Sequence, residues 1–410
     1  MGLFSWMTGK GKADPIPEAK MTSAQLLDEI YGGWESSAGV PITWRQALQI
    51  STVLACIRVI ANGVSQVPFV LFKNDGRMNR RAVEHPLYSL LHDAPNDFQT
   101  SFDFRFTLAL HLTLTNNALV WINRVGDRII ELLPIEPGKW SMVKDGWDAQ
   151  YLVTGKSGRQ YTLTRADVWH IRSMSFDGLE GIDAVRLARD VLGLTVGVEN
   201  YGAKFFKGGG KPQGILSTAA TLDAEQRKGL RQDWEVMNAG MQNQNRIAVL
   251  WGDLKYLPVG AANDQSQFLE TRKLQIEEIC RAFGVQPLMV YYSDKNSTYA
   301  SVEQMFIMHV THTLNPLYVN IEQGAVMALL TEKERLAGYY IKLLSNGLLR
   351  GATKDRAEYY RIMRTIGAMT INEIRELEEL NPVEGGDDPF APLNSNISPT
   401  AKAGSEAGNE

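Results

Sequence analysis

The spacing of apolar and polar positions divides the chain into a mixed first half and a mainly helical second half. From Gln46 to Gln66 the apolar residues Ile50, Val53, Leu54, Ile57, Ile60, Ala61 and Val64 recur at three and four, which predicts a helix with one buried face. Pro68 ends it, and Phe69–Lys73 reads as a strand running into the turn Asn74-Asp75-Gly76. A short helix opens at His85-Pro86-Leu87 and closes at Ala94-Pro95-Asn96, and a longer one covers Phe102–Leu114. Short strands follow: Ala118–Arg124 and Arg128–Pro134 as a hairpin, Gln150–Thr154 and Gln160–Leu163 as a second, then Asp167–Ile171. Asp183–Phe206 returns to a long amphipathic helix, so this half is α+β.

Further on, the apolar stripe narrows. Asp223–Ala239 reads as a helix whose strong apolar residues are Leu230, Trp234 and Met237, at i, i+4, i+7. A short β-like insert, Arg246–Leu250 and Lys255–Val259 about the turn Trp251-Gly252-Asp253, precedes a second helix from Asp264 to Phe283. The pattern predicts a projecting helical hairpin with a small tip, packed in an array because neither helix has enough apolar surface for a core of its own. A Tyr-, Ser- and Asn-rich loop spans Tyr291–Tyr299, and the helical region Ser301–Leu330 should kink at Pro316. Lys354–Ile366 and Thr370–Leu380 are the last helices, the second opened by a Thr370/Glu373 capping box.

Composition changes the picture in two places. Glu384, Asp387, Asp388, Glu406 and Glu410 against Lys402 give residues 383–410 a net charge of −4, equal to the whole-chain total. Residues 1–382 are therefore formally neutral, without the basic excess that tight nucleic-acid binding requires; transient passage of DNA stays open. The two cysteines, Cys56 and Cys280, lack metal-ligand spacing and suit a reducing compartment. Met1–Lys20 holds no stretch apolar enough for a signal peptide, and nothing later reads as membrane-spanning.

Candidate chemistry is sparse. Gly155-Lys156-Ser157 looks like the end of a phosphate loop, but Gln150 stands where a glycine is needed and two strands flank it. Lys204–Lys211 (KFFKGGGK) can cradle a phosphate or simply cap a helix with Gly208; an α+β enzyme binding a phosphorylated ligand at Lys204–Gly210 is the competing functional class. His309 and His312 sit at i, i+3 with no acidic or sulfur ligand nearby in sequence, and Cys280 reads as a small buried hydrophobe. No catalytic, metal or cofactor site is expected.

The order of motifs resembles the portal proteins of long-tailed double-stranded DNA phages, from about Ile42 to Pro389. Carrying it are Val53–Ala61 with Val67-Pro68, His85-Pro86-Leu87-Tyr88 with Leu90-Leu91, Ala94-Pro95-Asn96, Asp167–Ile171, Asp177-Gly178 with Gly181, and Gly214-Ile215-Leu216. The most specific piece is Gln267-Phe268-Leu269-Glu270 with Arg272-Lys273, running to Glu278–Val285; Thr370, Asn372–Arg375 and Gly385-Gly386-Asp387 join it near the end.

The resemblance implies a portal-type α+β fold and a ring, of twelve subunits in the family, at one capsid vertex. Residues 1–40 would be a flexible leader, 41–220 the first part of the wing, 221–241 and 263–284 the two stem helices, and 242–262 the clip. Residues 285–350 would hold the channel loop and the remaining wing helices, 351–382 the crown, and 383–410 a disordered acidic tail. Lys295, Asn296, Lys228 and Lys273 are candidate channel residues facing DNA. Arg246, Leu250, Trp251 and Tyr256 are candidates for docking partners at the clip, and Leu230, Trp234, Phe268, Ile276 and Ile279 for stem packing. Implied partners are other copies of the chain, double-stranded DNA in transit, the large terminase subunit, the head–tail connector or adaptor, the major capsid protein and a scaffold, with no membrane and no cofactor. The implied location is the virion, with assembly in the host bacterial cytoplasm.

Overall fold

A computed structural model of the chain describes residues 34–388, apart from 38, 77–78, 147, 156–157, 208–213, 220, 239–252, 259–264, 293–298, 346–347, 349–352 and 379. The elements fall into two units, Met1–Leu343 and Leu344–Glu410.

In the first unit, β1 (Trp34–Glu35) and β2 (Pro41–Ile42) precede α1 (Trp44–Ala47), which carries a Thr43/Gln46 capping box. Ile50, in extended conformation, then starts α2 (Ser51–Ser65). The single helix expected over Gln46–Gln66 is therefore two, because Thr43 caps the first and Ile50 breaks the helical run. Strands β3 (Phe69–Asn74) and β4 (Asn79–Arg81) lead to α3 (Pro86–His92) and α4 (Ser101–Thr115). A Thr100/Asp103 capping box starts α4, and Asn116 stops it with a left-handed φ of 54°.

Next come β5 (Asn117–Val125), β6 (Arg128–Ile135), β7 (Trp140–Asp145), β8 (Asp148–Thr154), β9 (Gln160–Leu163) and β10 (Val168–Arg172). Both expected hairpins form, β5 with β6 and β8 with β9. Two pairings were not visible in the local pattern. Strand β7 adds to β8, and β10 returns to the far edge of β5, with Val168 opposite Trp121.

Helices α5 (Ala184–Leu187) and α6 (Arg189–Lys207) follow, then β11 (Gly214–Ser217), α7 (Ala224–Asn238), β12 (Lys255–Pro258) and α8 (Gln265–Phe283). The unit ends with α9 (Tyr299–His309), a π-helical turn at Val310–Leu314, α10 (Asn315–Leu329), α11 (Glu332–Leu336) and β13 (Tyr339–Leu343). Pro316 stands in the first turn of α10, where its missing N–H is tolerated, and the break in the ladder expected there takes the form of the preceding π turn.

The core lies where α2 packs on α4, with Phe69, Phe104 and Trp169 against one another. Helix α10 comes back onto this core: Tyr318 donates its hydroxyl to the Gly63 carbonyl at 2.8 Å, and Leu314 fills the space that Gly63 leaves. Strand β13 pairs with β3, Leu343 opposite Phe69, and the buried Glu322 of α10 accepts from Leu343 N and Lys342 Nζ. Helix α10 and strand β13 thus close over α2 and β3 (Phe69–Asn74), far earlier in the chain.

In the second unit, α12 (Thr353–Thr365) meets α13 (Ile371–Leu377) through Tyr360 Oη donating to Glu378 Oε1 at 2.7 Å. Thr370 and Glu373 make the expected capping contacts. The chain then folds back so that Asn372 N donates to the Gly386 carbonyl, while Asn372 Nδ2 donates to Val383 O and Asp387 Oδ1. This gives Gly385-Gly386-Asp387 a structural role, since a side chain at Gly386 would overlap Asn372.

Candidate functional site

The polar helices of the second half are arranged differently from the hairpin expected of them. Helix α8 packs on α6 and on α2. Arg272 Nη2 of α8 reaches Glu199 Oε1 of α6 at 3.4 Å, an exposed pair that contributes ~0–1 kcal/mol but marks the contact. Both α6 and α8 have 19 residues, and are about 28 Å long at the usual rise per residue.

Helix α7, expected to be the partner of α8, sits elsewhere in the topology. Strands β11 and β12 bracket it and pair antiparallel, Ile215 opposite Leu257 and Leu216 opposite Tyr256. Gly214–Ser217 is a short apolar run that needs a ladder partner, and Lys255–Pro258 supplies one. The segment between α6 and α8 is thus a β11–α7–β12 insert, and the helical pair that carries it is α6 with α8. Residues 221–241 were expected to be the partner of 263–284; among the described residues the helix packed beside α8 is α6. The other half of the expected tip, Arg246–Leu250 with Trp251, lies outside the described residues.

The pair changes character along its length. At its C-terminal root α8 is buried, with Ile279 and Cys280 at 1% and 0% exposure against α2. One turn earlier, Glu270, Thr271, Arg272, Lys273 and Leu274 are all exposed, Leu274 at 56%. Five consecutive exposed positions exceed one helical turn, so every side of that stretch reaches solvent, even where Arg272 meets Glu199. Helix α6 shows the same feature on one face. Leu192 and Thr195 are buried, while Leu194 and Tyr201 are about half exposed and Val198 lies between them, at i, i+4, i+7. That second apolar stripe was available in the sequence and signals a helix with two neighbours. On charge, α8 balances Glu270, Glu277 and Glu278 with Arg272, Lys273 and Arg281.

The remaining expected residues are placed as follows. Lys228 on α7 and Lys273 on α8 are exposed. Leu230, Trp234 and Ile276 are half-buried, and Ile279 is buried as expected of a packing residue. Tyr256 is on β12 and Phe268 on α8, with their side chains outside the described set, and Lys295 and Asn296 lie outside it altogether. His309 is buried and His312 exposed, so the two do not share a face for a metal; burial holds the His309 imidazole below its usual range. Gly155 accommodates a hairpin turn, its N–H donating to Arg159 O, and Lys204–Lys207 form the last turn of α6. Among the described residues no group of three or more His, Cys, Asp or Glu is placed to hold a metal, and no helix is long and apolar enough to cross a membrane.

Two polar networks, one in the strand block and one between α2 and α4, hold the body of the first unit. His170 Nε2 lies 3.0 Å from Asn117 Oδ1, and its Nδ1 3.1 Å from Tyr151 Oη. Asn117 Nδ2 is committed to the Thr115 and Gly181 carbonyls, so its oxygen faces His170, which donates to it and accepts from Tyr151. Desolvation, with Arg172 nearby, depresses the imidazole to about 3. The buried Arg105 guanidinium, lowered by burial to about 10, donates from Nε and Nη2 to the Ser65 carbonyl at the end of α2. A cation there meets the negative end of the helix dipole.

Fold and surface together fit a structural assembly subunit: a folded α+β body with a helical pair that is exposed over part of each helix among the described residues. A family model for phage portal proteins matches residues 51–379. The portal protein of Enterobacteria phage HK97 is 28% identical over 345 residues, 83% of this chain and 81% of its own. The probable portal protein of Streptomyces phage phiC31 is 27% identical over 400 residues, 94% of this chain and 87% of its own. Among solved structures, an HK97-family phage portal protein from Corynebacterium diphtheriae superposes with a TM-score of 0.57 at 17% identity, covering 75% of this chain and 97% of that one. A chain from the virion of a native gene transfer agent gives 0.54 at 20% identity, covering 87% and 99%. The chain belongs to the phage portal protein family. Its function is that of a portal protein at the phage capsid vertex, a structural component and not an enzyme.

Proposed function

We propose that copies of this chain close into a ring of twelve whose axial channel passes double-stranded DNA during packaging and ejection. The observation that carries the reading is the turn Glu270–Leu274, exposed at every position on a helix whose root is buried. Such a helix gains further stability from surfaces outside its own chain, and a closed ring of heterologous contacts gives each copy two neighbours. A structural neighbour of this chain comes from the neck of a native gene transfer agent particle computed with C12 symmetry, which supports the number.

Within that ring, α6 and α8 form the wall, and the β11–α7–β12 insert at their far end is the clip. The clip meets the large terminase subunit during packaging and the head–tail connector afterwards, with Arg246, Leu250, Trp251 and Tyr256 as candidate contacts. The first unit's remaining α+β body is the wing, facing the major capsid protein and any scaffold, and residues 344–410 hold the crown. Lys273, Lys228, Lys295 and Asn296 are the candidate DNA-facing residues. Near-neutral walls hold few counterions to exchange with phosphate, so DNA slides through without being gripped. Assembly takes place in the host cytoplasm.

Light scattering and negative-stain imaging of the purified chain test this. Rings are expected, and Tyr201→Asp combined with Leu274→Asp should return a folded monomer. A chain that stays monomeric, alone and with capsid protein, would overturn the reading. For the channel, Lys273→Glu should lower the DNA packaged per particle without changing ring formation.

A further inference from the structure

Two cysteines that the sequence separates by more than two hundred residues meet at the root of α8. Cys56 of α2 and Cys280 of α8 are both fully buried, and their sulfur atoms are 3.9 Å apart. They are the only cysteines of the chain, and both are free thiols. A disulfide requires the sulfurs to approach to about 2.05 Å, a closure of roughly 2 Å that side-chain rotation and a small shift between two packed helices supply.

We propose that Cys56 and Cys280 are an oxidative modification site, a buried dithiol that closes to an intramolecular disulfide on reaction with a low-molecular-weight disulfide. Cys56 donates its S–H to the Cys280 sulfur, and this donation, with burial adding to it, pushes the Cys56 thiol up. Cys280 is therefore the sulfur that ionises first and attacks. Its thiolate cleaves the small disulfide, forming a mixed disulfide and releasing one thiolate, which takes the Cys56 proton. The Cys56 sulfur then attacks Cys280 and expels the second thiolate. The second thiolate takes the proton that Cys280 released, so the protein loses two protons and two electrons and the small disulfide becomes two thiols.

Access to the pair comes through the root of α8. The exposed turn Glu270–Leu274 ends less than two turns before Cys280, so local opening of α8 from α2 exposes both thiols together. Once closed, the bond ties the root of α8 to α2 of the core and forbids that opening.

The test uses the full chain, incubated natively with glutathione disulfide, then denatured, alkylated and mapped by mass spectrometry. The expected product is monomeric, lighter by two hydrogens, without alkylatable thiol, and yields one linked peptide containing Cys56 and Cys280. Either Cys280→Ser or Cys56→Ala should abolish that peptide; Cys56→Ala, small and apolar, guards against a packing defect in the other variant. Two alkylatable thiols after prolonged incubation would overturn the proposal. So would a stable glutathione adduct or a link between two chains.

Discussion

At the scale of single residues, the consequential groups are polar ones held in the dry interior. His170 is neutral because both its ring nitrogens are committed and its surroundings exclude water; His111, also buried, is depressed to about 4. Each folded-state value lies below the ordinary 6.5, so the folded chain binds fewer protons than the unfolded one. Their contribution to stability is complete above the unfolded value and is lost as pH falls through about 6.5 towards the folded values. Guanidinium unfolding from pH 7.5 down to about pH 5 should show a stability loss of about 2 kcal/mol for each histidine. His170→Gln should flatten that slope; an unchanged slope would remove His170 as its cause. Tyr318→Phe strips the buried donor from the Gly63 carbonyl and should cost ~1–2 kcal/mol by the same measurement. Gly338, at φ +87° with no room for a Cβ beside the Asn74 carbonyl, should tolerate alanine badly, at ~2 kcal/mol or more.

At the scale of elements, local periodicity identified most helices and both hairpins, because each is stabilised by neighbours close in sequence. It missed β7, a short run that pairs with β8 immediately after it, and β13, whose partner β3 is more than two hundred residues away. The site was legible to the same extent. The run Gln267–Val285 marked α8, but nothing local in it pointed to the contact of α8 with α6. Helix α7 has the narrow stripe of an array helix, and α6 looked like an ordinary amphipathic helix until its second stripe, Leu194, Val198 and Tyr201, is set against its buried Leu192 and Thr195. The pairing makes a separable prediction: since β11 and β12 close a ladder beneath α7, replacing Leu257 with Pro removes one rung and should unsettle the insert. Amide exchange should quicken in Ala224–Asn238 while the root of α8, anchored on α2, keeps its protection. Faster exchange at Ile279 and Cys280 as well would mean that insert and pair are one cooperative element.

At the scale of the whole molecule, each unit has its own closing hydrogen bonds among the described residues. The second is closed by Tyr360–Glu378 and by the Asn372 clasp, the first by the return of β13. A chain ending at Leu343 should therefore keep the guanidinium midpoint of the full-length protein's main transition, and a midpoint shifted by more than ~1 kcal/mol equivalent would contradict independent units.

The β3–β13 ladder also has a meaning in time. Phe69–Asn74 leaves the ribosome long before Tyr339–Leu343, and N-terminal elements must wait for the segment that completes their sheet. Until then the faces of β3 and α2 that receive β13 and α10 stay open, so an unfinished chain cannot present a finished body to a neighbour. A chain that stops short of Tyr339–Leu343 is therefore expected not to join others, so the last strand to be made decides when assembly can begin.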